Sequence, residues 1–215
     1  MPKNGRKHHP AKTQGFYDRI ADVQSLAMKL NGYRASVAKY LKSLDLKIGP
    51  DSLVLDAGCG TGIVTLAVQD ANFRPRGMVA LDLSYNSLKV SREQFIKSKT
   101  HAKSVSAVQG NVLTMPFADN TFDLVLMSGV LEYTPLDAGL AETARVLRKG
   151  APLVLLPVKP SLVGSVLEFL YNFKIHPLAN VRTAATRHFN IVGNFEFPIT
   201  EPIAWSKTIF LLEKK

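Results

Sequence analysis

An aspartate and three alternating glycines form the stretch of the sequence best suited to bind a ligand: Asp56, Gly58, Gly60 and Gly62. Glycine lets the backbone turn tightly and lets a ligand approach without meeting a Cβ atom. A helix that begins after the last glycine presents unpaired N–H groups, which favour an anion. Asp56 ends an apolar run at 53–55 and can hold a cation or a hydrogen-bond donor. The loop therefore suits a small ligand that carries both an amino group and a carboxylate.

A second acidic residue follows the next apolar run of the chain. Asp82 comes after residues 79–81, where an α/β fold places a carboxylate against ribose hydroxyls. The alternative is that Asp82 caps the helix that follows. The glycine spacing is G-x-G-x-G, whereas dinucleotide-binding folds use G-x-G-x-x-G. The spacing therefore argues against a nucleotide-dependent oxidoreductase.

Strands that alternate with helices are expected to position these residues. Parallel strands are predicted at 53–55, 77–83, 105–109, 122–127 and 153–156, with helices at 62–71, at 84–99 and after the fourth strand. Helices are also predicted at 161–173 and 179–189, and strands at 191–197 and 205–212. The short connection between the last two strands can only make an antiparallel pair. We therefore predict an α/β fold with a seven-stranded, mostly parallel sheet, one reversed strand near its edge, and helices on both faces.

Composition predicts one domain with a short basic addition. The chain has 215 residues, of which 46% are hydrophobic, and this is enough for a buried core. We assign residues 1–14 to a disordered basic tail, 15–48 to a helical N-terminal cap, and 15–215 to a single domain. The lone cysteine, Cys59, excludes a disulfide framework and favours a reducing, cytoplasmic compartment.

The remaining feature of composition is a positive net charge. The sequence has 27 Lys and Arg against 17 Asp and Glu, which gives +10. Part of this excess lies in the tail, at Lys3, Arg6, Lys7 and Lys12. A basic chain indicates nucleic acid, an anionic membrane or an acidic ligand as partner, and it also serves solubility alone. Composition leaves these alternatives open.

Several motifs, taken in order, resemble those of a known family. Residues 54–62 (VLDAGCGTG) resemble the first motif of class I S-adenosylmethionine-dependent methyltransferases, and Asp82 matches their ribose-binding acid. Residues 109–112 (QGNV), 115–117 (MPF) and 122–125 (FDLV) resemble the next two motifs. The resemblance runs from about Tyr17 to Lys159. It implies a Rossmann-like fold, with S-adenosylmethionine as cofactor and S-adenosylhomocysteine as product.

The resemblance also implies a set of cofactor-binding residues and no metal site. The set is Tyr17, Asp56, Gly58, Cys59, Gly60, Asp82, Leu83, Asn111, Val112, Ser128 and Gly129. Asp56 would help to hold the amino group of the cofactor, and Asp82 would accept hydrogen bonds from the ribose. Asn111 departs from the family, where an Asp is common, but an Asn oxygen can accept the same bond from the adenine.

The other members of the set have implied positions rather than implied hydrogen bonds. Val112 would border the adenine, and Ser128 with Gly129 would lie under the sulfonium. Tyr17 would close over the cofactor, although it equally suits the core of the first helix. Cys59 is interpreted as a small residue that the loop accepts and not as a nucleophile.

The sequence defines the methyl acceptor less well than the cofactor. Tyr133 and His176 are the candidates for a catalytic role in contact with the acceptor, and no dyad or triad accompanies them. Glu132 and Tyr133 equally suit packing at the start of a helix. The motifs of amino-methylating nucleic-acid enzymes, of pyrimidine-modifying cysteine enzymes and of arginine methyltransferases are absent. Residues 110–133 are instead similar to ubiquinone and menaquinone biosynthesis methyltransferases, and Lys159-Pro160 matches two of the three residues of their Ser-Lys-Pro turn.

An apolar segment bears on the same question. Residues 161–173 are apolar nearly all round, and we interpret 161–177 as a lid over an apolar acceptor, which the enzyme takes from an anionic membrane approached by the basic tail. The alternative is packing on the sheet or in a homodimer, so monomer and homodimer both stay open. The function expected is in-line methyl transfer to a small apolar or quinone-like acceptor. The alternatives are a noncatalytic cofactor-binding partner subunit and an RNA methyltransferase.

Overall fold

A seven-stranded sheet forms the centre of the molecule. The computed structural model describes residues 32–98 and 105–215. Its strands are β1 Leu53–Ala57, β2 Gly77–Asp82, β3 Val105–Gln109, β4 Leu124–Ser128, β5 Pro152–Leu156, β6 Phe189–Phe195 and β7 Ile209–Lys214. Their spatial order is β3-β2-β1-β4-β5-β7-β6, and β7 runs antiparallel to both of its neighbours. The strand order reverses between β1 and β4, which is where open α/β sheets bind ligands at their carboxyl edge.

Helices cover both faces of this sheet. They are α1 Tyr33–Ser43, α2 Ile63–Asp70, α3 Tyr85–Lys97, α4 Leu136–Val146, α5 Leu162–Tyr171 and α6 Leu178–Ala185, with short 3-10 helices at Leu131–Tyr133 and Pro202–Trp205. The start of α3 agrees with the predicted cap, because Ser84 Oγ accepts a hydrogen bond from Ser87 N–H at 3.1 Å. Asn172 ends α5 in the left-handed conformation, with φ of 50°.

Apolar side chains on both faces of the sheet make the core. One cluster joins the strands to Leu140 of α4 and Val181 of α6, and another joins them to Leu41 of α1 and Val68 of α2. Since β1 and β4 are buried on both faces, they appear in the sequence as continuous apolar runs. Phe189 is fully buried at the start of β6, and such burial contributes about 1.5–3 kcal/mol.

The predicted fold class is confirmed, whereas two predicted boundaries are wrong, one at the start of the final hairpin and one between its two strands. The predicted helix at 179–189 ends earlier, because Phe189 already belongs to β6. The predicted strand at 205–212 begins later, because Pro202 opens a 3-10 helix that extends to Trp205. The basic tail, Tyr17 and the predicted helix around it lie outside the described residues.

Helix α5 differs from the others in what it exposes. Leu162 is 90% exposed and Phe169 is 87% exposed, and Gly164 is the one buried residue of the helix. The alternative in which this helix packs its apolar side chains on the sheet therefore does not describe the structure. Within residues 32–98 and 105–215, no helix combines the length and the hydropathy of a membrane span.

Candidate functional site

The glycine loop lies at the carboxyl end of β1. Gly58, Gly60 and Gly62 have φ angles of 75°, 52° and 85°, a region that residues with side chains rarely adopt. A Cβ atom on Gly62 would lie 2.6 Å from Cε1 of Phe95, and one on Gly58 would overlap Val130. These two glycines are needed for packing. At Gly60, by contrast, no described atom lies within 4 Å of the Cβ position, so the loop borders open space there.

Asp82 ties the glycine loop to the start of α3. Its Oδ2 accepts a hydrogen bond from Gly60 N–H at 2.7 Å, and its Oδ1 accepts one from Ser84 N–H at 2.8 Å. The cap of α3 is Ser84 itself, so the alternative role predicted for Asp82 belongs to its neighbour. The Asp82 carboxylate is thereby fixed beside the loop, at the carboxyl end of β2.

Asp56 is a buried acid, and only one of its carboxylate oxygens is hydrogen-bonded within the described residues. The residue is 1% exposed, and Thr65 Oγ1 donates to its Oδ2 at 2.6 Å. Its Oδ1 is buried and has no hydrogen-bond partner among the described residues. Burial raises the pKa of Asp56 to about 7, although the hydrogen bonds from Thr65 oppose that increase. A buried acceptor without a donor costs about 1–3 kcal/mol, so this site is complementary to a donor such as an ammonium group.

Cys59 has a structural place in the loop. Its backbone N–H donates to the carbonyl of Leu81 at 2.9 Å, which fastens the loop to the end of β2. The side chain is buried with Leu66 and Phe95. Burial raises the pKa of the Cys59 thiol, and a thiol that stays protonated is a poor nucleophile. These findings agree with its interpretation as a small residue that the loop accepts.

The turns after β2 and β3 hold the residues assigned to the adenosine half of the cofactor. The carbonyl of Leu83 accepts a hydrogen bond from Gln109 Nε2 at 3.1 Å. Asn111 Oδ1 accepts one from Leu113 N–H at 2.9 Å, and Val112 is buried. The Asn111 side chain thus closes its own turn, a contribution that its sequence context did not indicate. All these residues lie on the same edge of the sheet as Asp82.

Tyr33 enters the site although the sequence analysis did not single it out. As the first residue of α1, it is 4% exposed, and its hydroxyl lies 2.5 Å from Ser128 Oγ at the end of β4. Burial raises the pKa of Tyr33, and the charges of Asp56 and Glu132 add to the effect. The sequence feature that could have pointed to Tyr33 is its position directly after the Asn31-Gly32 break, at the start of the predicted second helix.

A lysine and a glutamate lie buried on the other side of β4. Lys207 Nζ is 2.9 Å from the Cβ position of Gly129 and donates to the carbonyl of Leu156 at 3.3 Å. Glu132 is 3% exposed, and its Oε1 accepts a hydrogen bond from Val158 N–H. Burial lowers the pKa of Lys207, and the negative charge of Glu132 opposes that decrease. The signal for Lys207 was its position as the one charged residue of 202–212, a mostly apolar stretch of the sequence.

The two candidates for acceptor contact have packing partners within the chain. The Tyr133 ring meets that of Phe173 edge-on, with 5.3 Å between centroids. The Nε2 atom of His176 lies 3.1 Å from the carbonyl oxygen of Leu131. Both contacts tie residues 172–177 to the 3-10 helix after β4. The structure therefore gives each residue a positional role, and their contact with an acceptor stays a prediction.

Comparison with known proteins identifies the family. A family model described as a methyltransferase domain matches residues 55–155. A demethylmenaquinone methyltransferase of Shouchella clausii (strain KSM-K16) is 34% identical over 169 residues, which are 77% of this chain and 70% of that protein. The chain belongs to the class I S-adenosylmethionine-dependent methyltransferases. Within them it is of the ubiquinone and menaquinone type.

Solved structures of similar fold contain the cofactor. The methyltransferase matches the geranyl diphosphate C-methyltransferase of Streptomyces coelicolor A3(2), in complex with Mg²⁺, geranyl diphosphate and S-adenosylhomocysteine, with a TM-score of 0.69, 16% identity and coverage of 83% of this chain and 78% of that chain. A geranyl diphosphate methyltransferase in complex with S-adenosylmethionine has a TM-score of 0.69, 18% identity and coverage of 86% and 91%. Because the chain belongs to the S-adenosylmethionine-dependent methyltransferases, S-adenosylmethionine is its cofactor, and the expected activity and cofactor are confirmed.

Proposed function

We propose that Asp56, Gly60 and Asp82 hold the cofactor of this methyltransferase. The fit rests on Asp56 Oδ1, a buried acceptor with no donor in the described parts of the chain, which the amino group of the cofactor would supply. Gly60 borders open space, and Asp82 is fixed beside it to accept hydrogen bonds from the ribose. Ser128, the last residue of β4, and Gly129, which follows it, would border the sulfonium.

The chain's own task in the reaction is alignment. The bound cofactor supplies a methyl group that the positive sulfonium has already activated. The residues must then hold the acceptor in line with the methyl carbon and the sulfur, and positioning of this kind contributes about 7–11 kcal/mol. The hydrogen bond between Tyr33 and Ser128, 2.5 Å long, lies in a buried part of this edge and would keep one wall of the reaction site rigid.

The acceptor that we propose is a small apolar ring compound of the quinone type. The observation that carries this proposal is the exposed apolar face of α5 next to the site. The segment after α5 reaches the site directly, since Lys174 N–H donates to the carbonyl of Glu132 at 3.1 Å and Phe173 packs on Tyr133. The names of the curated demethylmenaquinone methyltransferases support a quinone-like ring.

We further propose that residues 161–177 form a lid that meets the membrane surface in which such an acceptor dissolves. Leu162, Val166 and Phe169 present an apolar face that the described residues leave exposed. The chain carries an excess of Lys and Arg, which is attracted to anionic lipid headgroups. The proposal combines burial of the apolar face with attraction of the positive charge.

The test of the acceptor is methyl transfer from labelled S-adenosylmethionine to a short-chain demethylmenaquinol. We expect the label in the quinol, and Phe169→Ser raises the KM for the quinol by about tenfold or more, since one buried apolar side chain is worth about 1.5–3 kcal/mol. The matched control is Ile96→Ser, which removes a side chain that is 73% exposed on α3. Label found in RNA and not in the quinol would contradict the proposal and favour the RNA alternative.

The test of the membrane contact is flotation with anionic liposomes. We expect the full chain to float, and both the chain without residues 1–14 and the Phe169→Ser variant to float less. Salt should weaken flotation of the full chain because it screens the charges. If neither the full chain nor the shortened chain floats, the membrane contact is wrong, although the proposed acceptor can still hold.

A further inference from the structure

Lys207 occupies a buried position at the carboxyl edge of the sheet. β7 runs opposite to β5, so its first residues lie beside the last residues of β5. The backbone of Lys207 forms an isolated bridge with Val158, and its N–H donates to the carbonyl of Ile203 at 2.9 Å. The bridge and the hydrogen bond together fix the backbone position of Lys207. The residue is 6% exposed.

The ammonium group of Lys207 has fewer partners than donors. Its Nζ makes one hydrogen bond, 3.3 Å long, to the carbonyl of Leu156, whereas an ammonium carries three donors. Within residues 32–98 and 105–215, no carboxylate oxygen lies within 4.0 Å of Nζ. The negative charge of Glu132 acts on the ammonium without forming an ion pair with it, so most of the hydrogen-bonding capacity of Lys207 is unmet.

The ammonium of Lys207 lies beside the residues that follow β4. Nζ lies 2.9 Å from the Cβ position of Gly129, so the absence of a side chain there makes room for it. Glu132 is close enough for its charge to act on Lys207, and its Oε2 is buried with no hydrogen-bond partner among the described residues. Two buried polar groups with unmet hydrogen-bonding capacity therefore lie near the end of β4.

We propose that Lys207 is the oxyanion-binding residue of the acceptor subsite, where its ammonium binds the ionised hydroxyl oxygen of the ring that receives the methyl group. Glu132 orients the subsite. Its Oε1 accepts a hydrogen bond from Val158 N–H, and this bond holds the backbone bridge between Val158 and Lys207 in place. This inference rests on the proposed acceptor class. It explains why a buried cation faces the end of β4 and why a glycine stands at position 129.

The assisted reaction is balanced as follows. The acceptor hydroxyl loses its proton to solvent, and the resulting negative charge is shared between the oxygen and the ring. The nucleophilic atom of the acceptor forms a bond to the methyl carbon, while the bond from that carbon to sulfur breaks and its electron pair goes to sulfur. Where the nucleophilic atom is a ring carbon, that carbon then loses its own proton and the oxygen regains one. Each transfer releases one proton overall, and Lys207 lowers the cost of the ionised acceptor.

The decisive measurement uses a prenylated naphthol, whose ionised form has a distinct ultraviolet absorbance. The naphthol is bound to the wild-type chain saturated with S-adenosylhomocysteine, so that no turnover occurs. We expect the ionised fraction of the bound naphthol at neutral pH to rise by about tenfold or more over that in buffer, as an adjacent opposite charge favours the charged form. An ionised fraction that is unchanged or reduced would overturn the inference without any variant being needed.

The variant Lys207→Met keeps most of the length of the side chain and removes the charge. We expect it to bind S-adenosylhomocysteine as the wild type does, to lose the increase in naphthol ionisation, and to lower kcat for the quinol by about tenfold or more. The matched control is Lys214→Met, because Lys214 Nζ also donates to a backbone carbonyl, that of Leu147 at 2.7 Å, but at the opposite edge of the sheet. Equal naphthol ionisation in Lys207→Met and wild type would refute the role of the lysine.

Failure of the proposed function gives a different pattern of results. If the acceptor class is wrong, the wild-type chain binds no naphthol and transfers no methyl to the quinol, and the oxyanion subsite is overturned with it. If only the inference is wrong, the wild-type chain methylates the quinol while the bound naphthol shows no gain in ionisation. Binding of S-adenosylhomocysteine, followed by calorimetry, reports in both cases whether the chain is folded.

Discussion

Replacing Asp56 by asparagine should change how the stability of this methyltransferase depends on pH. The pKa of Asp56 is raised from 3.8 to about 7 by burial. Since the folded pKa lies above the unfolded one, the folded chain binds this proton more tightly. The free energy of unfolding therefore falls as pH rises from about 4 to about 7. This is the reverse of the usual behaviour of a salt-bridged aspartate.

The magnitude follows from the two pKa values. With 3.8 in the unfolded chain and about 7 in the folded chain, the contribution of Asp56 declines by about 3 kcal/mol between about pH 4.5 and about pH 8. The asparagine side chain in the Asp56→Asn variant cannot ionise. Its amide places a donor where Asp56 Oδ1 has no partner, which adds a cost of about 1–3 kcal/mol that does not vary with pH.

The assay is urea unfolding of cofactor-free wild type and Asp56→Asn across this pH range. The difference between the two curves cancels the other titrating groups, so it should grow by about 3 kcal/mol in favour of the variant as pH rises. A second variant, Thr65→Val, removes a hydrogen bond that lowers the pKa of Asp56. The pKa should therefore be higher in this variant, and its free energy of unfolding should continue to fall to a higher pH. Parallel curves for wild type and Asp56→Asn would refute the reasoning.

Two further predictions concern the glycine loop and its acid. Gly62→Ala should destabilise the chain by about 2–4 kcal/mol, because a φ of 85° and a contact of 2.6 Å with Phe95 act together. The control Gly150→Ala, with φ of 73° and open space around the Cβ position in the described structure, should cost only about 1 kcal/mol, and equal losses on urea unfolding would contradict the proposed clash. Asp82→Ala should weaken S-adenosylhomocysteine binding by about tenfold or more, whereas Asp70→Ala, which removes a carboxylate paired with Arg34, should leave it unchanged. Unchanged affinity in Asp82→Ala, measured by calorimetry, would sink the role assigned to that carboxylate.

The sequence was most informative where one local rule decides the structure. The alternating glycines at 58–62 predicted a loop, and the structure gives all three glycines a positive φ. Ser84 predicted the start of α3, because a serine hydroxyl can accept a hydrogen bond from a backbone N–H three residues further along the chain, as it does from Ser87. Continuous apolar runs predicted the central strands, since a strand buried on both faces needs apolar side chains at every position.

The sequence was least informative where residues far apart in the chain meet. Tyr33 and Ser128 are 95 positions apart, and no local pattern relates them. Lys207 and Gly129 come together only because β7 is reversed and lies beside β5. The same limit explains the wrong boundary at 205–212, where an apolar stretch fits a strand and a 3-10 helix equally well.

The reversed direction of β7 divides the two substrates between separate lengths of the polypeptide. The residues proposed for the methyl donor, from Asp56 to Gly129, lie within the region matched by the methyltransferase model, at 55–155. Lys207, proposed for the acceptor, follows that region and returns to the same edge only because the last strand runs backwards. Exchange of the segment after β5, which holds both the proposed lid at 161–177 and Lys207, is therefore expected to change the acceptor. Chimeras joined after β5 would be the natural means to transplant acceptor preference between relatives.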